Sequence, residues 1–126
     1  MIVAAHNKLI ENPYFTGTTL NGYELFEIPA NKFPIGVFLG EEILPFTNHE
    51  FQLHKGDTIY AFSDGYADQF GGPNSKKFMT RRFKSLLLEI QELSLMKQKE
   101  ILDKAAEEWR GMEEQVDDIL IIGVRV

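Results

Sequence analysis

Asp64 and the pair Asp117-Asp118 are the side chains whose placement could do chemistry. Asp64 follows the run Thr58-Ile59-Tyr60-Ala61-Phe62, which is β-branched, aromatic and bounded by a turn signal on each side, the pattern of a strand. Asp117-Asp118 stands at the start of Ile119 to Val126, a nearly continuous apolar run that reads as a last strand. If the two strands are antiparallel neighbours, the end of one lies beside the beginning of the other and the carboxylates converge. Neighbouring strands lie about 4.8 Å apart, and two bare carboxylates at that separation repel by roughly 3 kcal/mol at an effective dielectric of about 20. A divalent cation offsets that repulsion, and an oxygen-only ligand set selects Mg²⁺ or Mn²⁺ over zinc. The plain alternative is an Asp-Gly turn after one strand and a solvated Asp-Asp loop before another.

A second group is basic. Lys76, Lys77, Arg81 and Arg82 cluster just after the loop that follows Asp64, where they could attract the phosphate of a phosphopeptide. They also suit a solvated helix start, although cations there oppose the helix dipole. The three histidines read as structural or solvated: His6 interrupts an apolar stretch, His49 lies in a polar turn, and His54 stands beside Lys55-Gly56. Trp109 and the phenylalanines are core residues by default. Glu107, Glu108, Glu113 and Glu114 read as solvated surface.

The elements that must position these groups fall into two halves. The first half reads as strands. Ile2 to Ile10 is apolar, interrupted by His6-Asn7-Lys8. Asn21-Gly22 ahead of the alternating run Tyr23 to Ile28 is a hairpin signal. Phe33 to Leu39 is a further short apolar run, and Ile43 to Leu53 is expected to form strand on either side of Thr47-Asn48-His49. Lys55-Gly56-Asp57 makes a turn. Residues 64 to 77 read as a loop with Gly71-Gly72-Pro73-Asn74-Ser75 at its tip. The period then changes. Met79, Phe83, Leu86, Leu87 and Ile90 recur at helical spacing. A second helix is expected from Ser94 as N-cap to Arg110, with Leu95, Leu102, Ala105, Ala106 and Trp109 on its buried stripe and Gly111 as its stop. Strands, two helices and a closing strand make an α+β order.

Composition narrows the partners. The 126 residues include 44% apolar residues and 10 Phe, enough for a real core in one domain or a large part of one. The net charge of −6 disfavours nucleic acid and anionic membrane surfaces. With no cysteine there is no disulfide framework, thiolate zinc site or cysteine nucleophile, a usage compatible with the cytoplasm. No signal peptide is visible, and no run approaches the roughly 20 apolar residues of a membrane helix.

The stretch from Thr58 through Ser63-Asp64-Gly65-Tyr66-Ala67-Asp68 to Gly71-Gly72 resembles the strand–Asp-Gly motif of the protein phosphatase 2C-like superfamily. The resemblance is nearest to the bacterial SpoIIE type, often an output domain of signalling proteins. The tail Gln115-Val116-Asp117-Asp118-Ile119-Leu120-Ile121-Ile122 resembles that family's closing Asp-Asp motif, and the segments around Ala4-Ala5-His6-Asn7 and Pro34-Ile35-Gly36 also fit in order. The resemblance implies a partial α-β-β-α sandwich of antiparallel strands packed with two helices. It implies Asp64 and Asp117 as metal ligands, Asp118 as a ligand or a support, and Asp68 as an acid toward a third, weakly bound metal or a solvated loop residue. Gly65 would let the backbone turn close to the metal. The implied reaction is hydrolysis of phosphoserine or phosphothreonine in a protein by water activated between two Mg²⁺ or Mn²⁺ ions, with no phospho-enzyme. Lys76, Lys77 and Arg81 would contact phosphate or substrate. The implied partners are a phosphoprotein, such as an anti-sigma-factor antagonist-like protein, and an upstream sensor or receiver domain.

One departure from the family pattern matters. The family's N-terminal half carries an Asp followed by Gly-His-Gly, whose carboxylate bridges both metals, and no such motif occurs in this sequence. Residues 1–126 therefore resemble the C-terminal part of one such domain. The chain is then either an excised fragment or a short protein that no longer catalyses, a non-catalytic interaction module. Exposed sheet edges and an exposed apolar face would follow, with a homodimer as one way to cover them.

Overall fold

The computed structural model describes residues 2–5, 15–31, 45–50 and 52–126. Its main sheet holds five strands: β1 (Ile2–Ala5), β2 (Phe15–Leu20), β3 (Tyr23–Glu27), β4 (Thr58–Phe62) and β7 (Ile121–Arg125). Their spatial order is β2-β3-β1-β4-β7, antiparallel throughout. The turn between β2 and β3 is Asn21-Gly22, with φ of 52° and 80°. Both residues are left-handed, which gives a two-residue turn the twist of the strands it joins. In register, Phe62 faces Ile121 and Thr58 faces Arg125. The antiparallel adjacency expected of these two strands is therefore present.

Helix α2 (Thr80–Glu89) and helix α3 (Leu95–Arg110) cover one face of the sheet. The first buries Phe83 and Leu87 of the expected stripe and also Leu88, whereas Met79 precedes the helix and is exposed. The second begins at Ser94, whose hydroxyl accepts from the Lys97 amide at 3.3 Å, and ends at Gly111. Its stripe holds one residue that hydrophobic patterning passed over. Gln98 is 2% exposed, and it is tolerated there because both ends of its amide are hydrogen-bonded. Ala4, Leu25, Tyr60, Tyr66, Phe83, Leu87 and Leu102 form the centre of the core. A relay of ring contacts crosses it: Phe62 to Phe83 at 4.9 Å, Phe83 to Tyr66 at 4.9 Å, Tyr66 to Phe78 at 5.2 Å and Phe78 to Trp109 at 5.5 Å.

Two expectations change. Residues 64–77 are not one loop. They hold a single helical turn, α1 (Gly65–Asp68), and a two-stranded hairpin, β5 (Phe70–Gly71) with β6 (Lys76–Lys77). Distant contacts create this order. The Gly72 amide donates to the Trp109 carbonyl at 2.8 Å, and a Cβ on Gly71 would lie 1.8 Å from that same oxygen. Nothing within the local sequence encodes that seat. Nor do the described residues between 45 and 54 form strand. Instead Thr47 is tied to Asn31 by a pair of hydrogen bonds at 2.9 and 3.1 Å, so the polar turn pairs through side chains rather than in a ladder. The runs 6–10 and 33–39, and residues 43, 44 and 51, lie outside the described residues.

Strand β7 forms one edge of the sheet. Its Ile121, Gly123 and Arg125 face the helices, while Leu120, Ile122, Val124 and Val126 stand on the other side, each more than half exposed. The continuous apolar run is thus explained: only half of it is buried among the described residues. No helix among the described residues is long and apolar enough to cross a membrane.

Candidate metal centre at the acidic end of the sheet

The last strand begins at Ile121, three residues after Asp118, but its ladder is prolonged by one side chain. The Ser63 amide donates to the Leu120 carbonyl at 3.0 Å. The Leu120 amide returns a bond to Ser63 Oγ at 3.0 Å rather than to a backbone oxygen. The same hydroxyl donates to the Asp118 carbonyl at 2.7 Å. Ser63 thus fastens residues 118–120 to the end of β4 through both donor and acceptor capacity of its hydroxyl.

Gly65 completes the approach. A Cβ at this position would lie 2.3 Å from the Asp118 carbonyl oxygen and 2.8 Å from its carbon. Gly65 is expected to let the backbone turn close to a metal; what the structure packs against it is the Asp118 main chain. Asp64 sits directly before it as the N-cap of α1, in helical conformation with no side-chain cap bond. Its side chain is left free of the helix end, and it is exposed. Tyr66 and Ala67 anchor the turn from beneath: the Tyr66 hydroxyl donates to the Leu102 carbonyl at 2.8 Å. Burial, reinforced by Asp103 nearby, pushes that hydroxyl well above the usual phenol range.

Asp117 and Asp118 are likewise exposed. Asp117 accepts the Asp118 amide on Oδ1 at 2.8 Å, which fixes the bend between them. The Gln115 amide group donates to the Asp117 carbonyl at 3.0 Å, and Gln69 donates to the Glu114 carbonyl at 3.0 Å. The segment is therefore pinned at successive points while its carboxylates face outward. Asp68 is one turn from Asp64, its amide donating to the Asp64 carbonyl at 2.9 Å. Its carboxylate is engaged by Lys77 at 3.0 Å, a half-exposed pair that contributes little stability but occupies the group.

The basic residues divide. Lys76 and Lys77 form β6 and line a hollow at the hairpin together with Arg82 and Trp109. Arg81 lies against a second hollow, beside Ser85 and Glu89, and Arg82 borders both. Of the features that shape these sites, the role of Ser63 and the stacking of Arg82 on Trp109 are not evident from the sequence motifs. A serine between a strand and Asp-Gly, with its hydroxyl able to replace a ladder carbonyl, is the signal that could have found the first.

For a divalent cation the donors are right in kind, since Asp64, Asp117 and Asp118 offer only oxygen and none makes an ion pair among the described residues. In number they fall short. Among the described residues no group of three His, Cys, Asp or Glu side chains gathers closely enough to hold a metal. The arrangement fits one side of a centre.

Comparison with known proteins bears on the family and the fold. The family model of stage II sporulation protein E (SpoIIE) matches residues 17–126. No curated protein matches the chain. Among solved structures, the SiaA-PP2C domain of Pseudomonas aeruginosa is similar, with 34% identity and a TM-score of 0.63. The similarity covers 64% of this chain and 33% of that one.

Proposed function

The chain belongs to the stage II sporulation protein E family, and on that premise we propose that it is part of a metal-dependent phosphatase domain that hydrolyses phosphoserine or phosphothreonine in a protein. The observation that carries the reading is the fastening of Asp118 to the Asp64 turn through Ser63 and Gly65, which leaves three carboxylates outward and unpaired at one end of the sheet. Asp64 and Asp117 would hold Mg²⁺ or Mn²⁺, with Asp118 beside them and Asp68 as a further acid released from Lys77. When bound, such ions lower the pKa of water and neutralise charge on phosphoryl oxygens. The residues of this chain do the positioning: Ser63 and Gly65 set the separation of the two acidic segments, and Tyr66 holds the turn that carries Asp64. Lys76 and Lys77 would draw an anionic substrate toward the acids, with Arg81 acting at longer range.

Because the donor count is short, we infer that residues 1–126 supply one side of the centre and do not turn over substrate alone. The same count favours a second reading, a non-catalytic module that keeps the fold without the chemistry. The substrate we have in mind is a phosphoprotein of the anti-sigma-factor antagonist kind in the bacterial cytoplasm, under control of an upstream sensor or receiver domain. The exposed stripe on β7 would be covered by the remainder of the domain or, in the isolated chain, by a second copy.

The test is hydrolysis of a phosphoserine peptide with Mn²⁺, by this chain and by a chain extended upstream. Turnover only in the extended chain, lost in Asp64→Asn and Asp117→Asn, is the result we expect. Inactivity of both would leave the interaction module as the better reading, and turnover by residues 1–126 alone would refute the shortage of ligands.

A further inference from the structure

The charge of the molecule is unevenly placed. Residues 69–88 contain Lys76, Lys77, Arg81, Arg82 and Lys84 and not one Asp or Glu, within a chain whose net charge is −6. Lys77 is paired with Asp68 and Lys84 with Glu27. Lys76, Arg81 and Arg82 have no carboxylate partner among the described residues. Two of these three unpaired cations, Lys76 and Arg82, line one cavity of about 320 Å³ with Gly71, Lys77, Met79 and Trp109.

The floor of that cavity is fixed. Trp109 Nε1 donates to the Gln69 carbonyl at 3.1 Å, its own carbonyl accepts from Gly72, and Phe78 meets its ring edge-on. The Arg82 guanidinium lies over the indole, 4.3 Å from its centroid. A guanidinium held this way keeps its N–H edge free, in the fork geometry that matches a carboxylate. The stacking biases the exposed side chain toward this position, which lowers the ordering cost for a ligand that meets it. The cavity also adjoins the acidic centre, because Lys77 lines the one and pairs with Asp68, a helical turn from Asp64, in the other.

We propose that this cavity is a docking subsite for an acidic peptide segment, whose carboxylate forks onto Arg82 and is flanked by Lys76 while its aliphatic stem lies against Trp109 and Met79. The inference rests on the phosphatase reading only in making that segment part of the protein substrate. Its position implies that the segment lies a few residues from the phosphorylated one. Nucleic acid is the poorer occupant, since the remainder of the chain carries the excess of negative charge that repels a polyanion.

Trp109 is the only tryptophan in the chain, so its fluorescence reports directly on the site. An unphosphorylated Asp/Glu-rich peptide titrated into the chain without metal should give a saturable change in emission that weakens with added salt. Arg82→Gln should weaken binding about tenfold, the loss of one charge-assisted fork, and Lys76→Gln, a fully surface change, should weaken it less. A Lys-rich peptide should give no change. The proposal is overturned if the acidic peptide leaves emission unaltered, if Arg82→Gln binds as well as the parent, or if inorganic phosphate competes as well as the peptide does, which would mark an unselective anion site. Because no metal or turnover enters this measurement, acidic-peptide binding with no activity in the extended chain would uphold the docking site and remove the phosphatase reading instead.

Discussion

At one end of the β4–β7 ladder, Arg125 donates to Thr58 Oγ1 at 3.1 Å, to the Leu93 carbonyl at 2.9 Å and to the Gln91 carbonyl at 2.6 Å. Beside it the Tyr60 hydroxyl donates to Gln98 Oε1 at 2.7 Å and accepts from Gln91 Nε2, while Gln98 Nε2 reaches the Ile90 carbonyl at 3.0 Å. At the other end, five residues along the same strands, one serine hydroxyl joins the chains and three carboxylates face water. The first end uses polar groups to close the fold, fastening the C-terminal end of α2 to the sheet through buried and half-buried side chains, of which only the Gln91 Oε1 lacks a partner among these groups. The second leaves three exposed carboxylates that make no ion pair among the described residues. Stability is invested where no chemistry is proposed, so that the acidic end can stay open to a ligand.

That contrast orders the expected effects of mutation. The largest belongs to Gly65→Ala, since its methyl group would collide with the Asp118 carbonyl and one backbone must move. We expect a loss of about 3 kcal/mol, as for overpacking against a rigid neighbour, measured by urea denaturation. A change within error of zero would mean that the two segments are not held together as described. At the closed end, Arg125→Met should cost about 2 kcal/mol by removing the charge-assisted hydrogen bonds to the Gln91 and Leu93 carbonyls and the bond to Thr58. Ser63→Ala at the open end should cost nearer 1 kcal/mol. Equal losses would remove the asymmetry.

Tyrosine titration sharpens the same point. Burial raises the hydroxyl pKa of Tyr60 and Tyr66 above the ordinary value of 10.0, against which the amide partners and Arg125 act at Tyr60. The folded chain therefore holds these protons more tightly than the unfolded one. Their contribution is complete below the unfolded pKa and is lost as pH rises above 10.0 toward the folded values. Tyr66→Phe should cost about 1 kcal/mol at neutral pH through the bond to Leu102, and its stability should fall less steeply under alkali than that of the parent. A parallel fall would show that Tyr66 is already solvated. The smallest effect is expected at Asp64→Asn, within about 0.5 kcal/mol of the parent, as for an exposed residue outside the core. A marked change in thermal midpoint would make Asp64 structural rather than a ligand.

Much of this fold is written locally. The Asn21-Gly22 turn, the Thr58–Phe62 strand, the Ser94 cap and the Gly111 stop are each set by a few adjacent residues, and each stands where local chemistry puts it. So does the approach of the Asp64 turn to the Asp118 main chain, because two strand ends and an antiparallel pairing suffice to imply it. What escapes such a reading is order produced by distant partners. The hairpin at 70–77 exists because Gly71 and Gly72 fit against Trp109, and Gln98 is buried because Tyr60 and the end of α2 receive it. That Arg82 borders the hairpin hollow with Lys76 while Arg81 does not depends on which side of α2 meets the hairpin, and composition carries no trace of that.

The claim at the centre of all this is that Asp64 and the Asp117-Asp118 segment form one oxygen-rich face for a divalent cation. Paramagnetic line broadening tests it most directly, by adding substoichiometric Mn²⁺ to the isotope-labelled chain and following each amide. We expect the amides of Asp64, Gly65, Asp117, Asp118 and Ile119 to fade first and together, and to be spared in Asp64→Asn. Broadening centred on Glu107, Glu108, Glu113 and Glu114, or broadening at the sheet end that Asp64→Asn leaves unchanged, would contradict it.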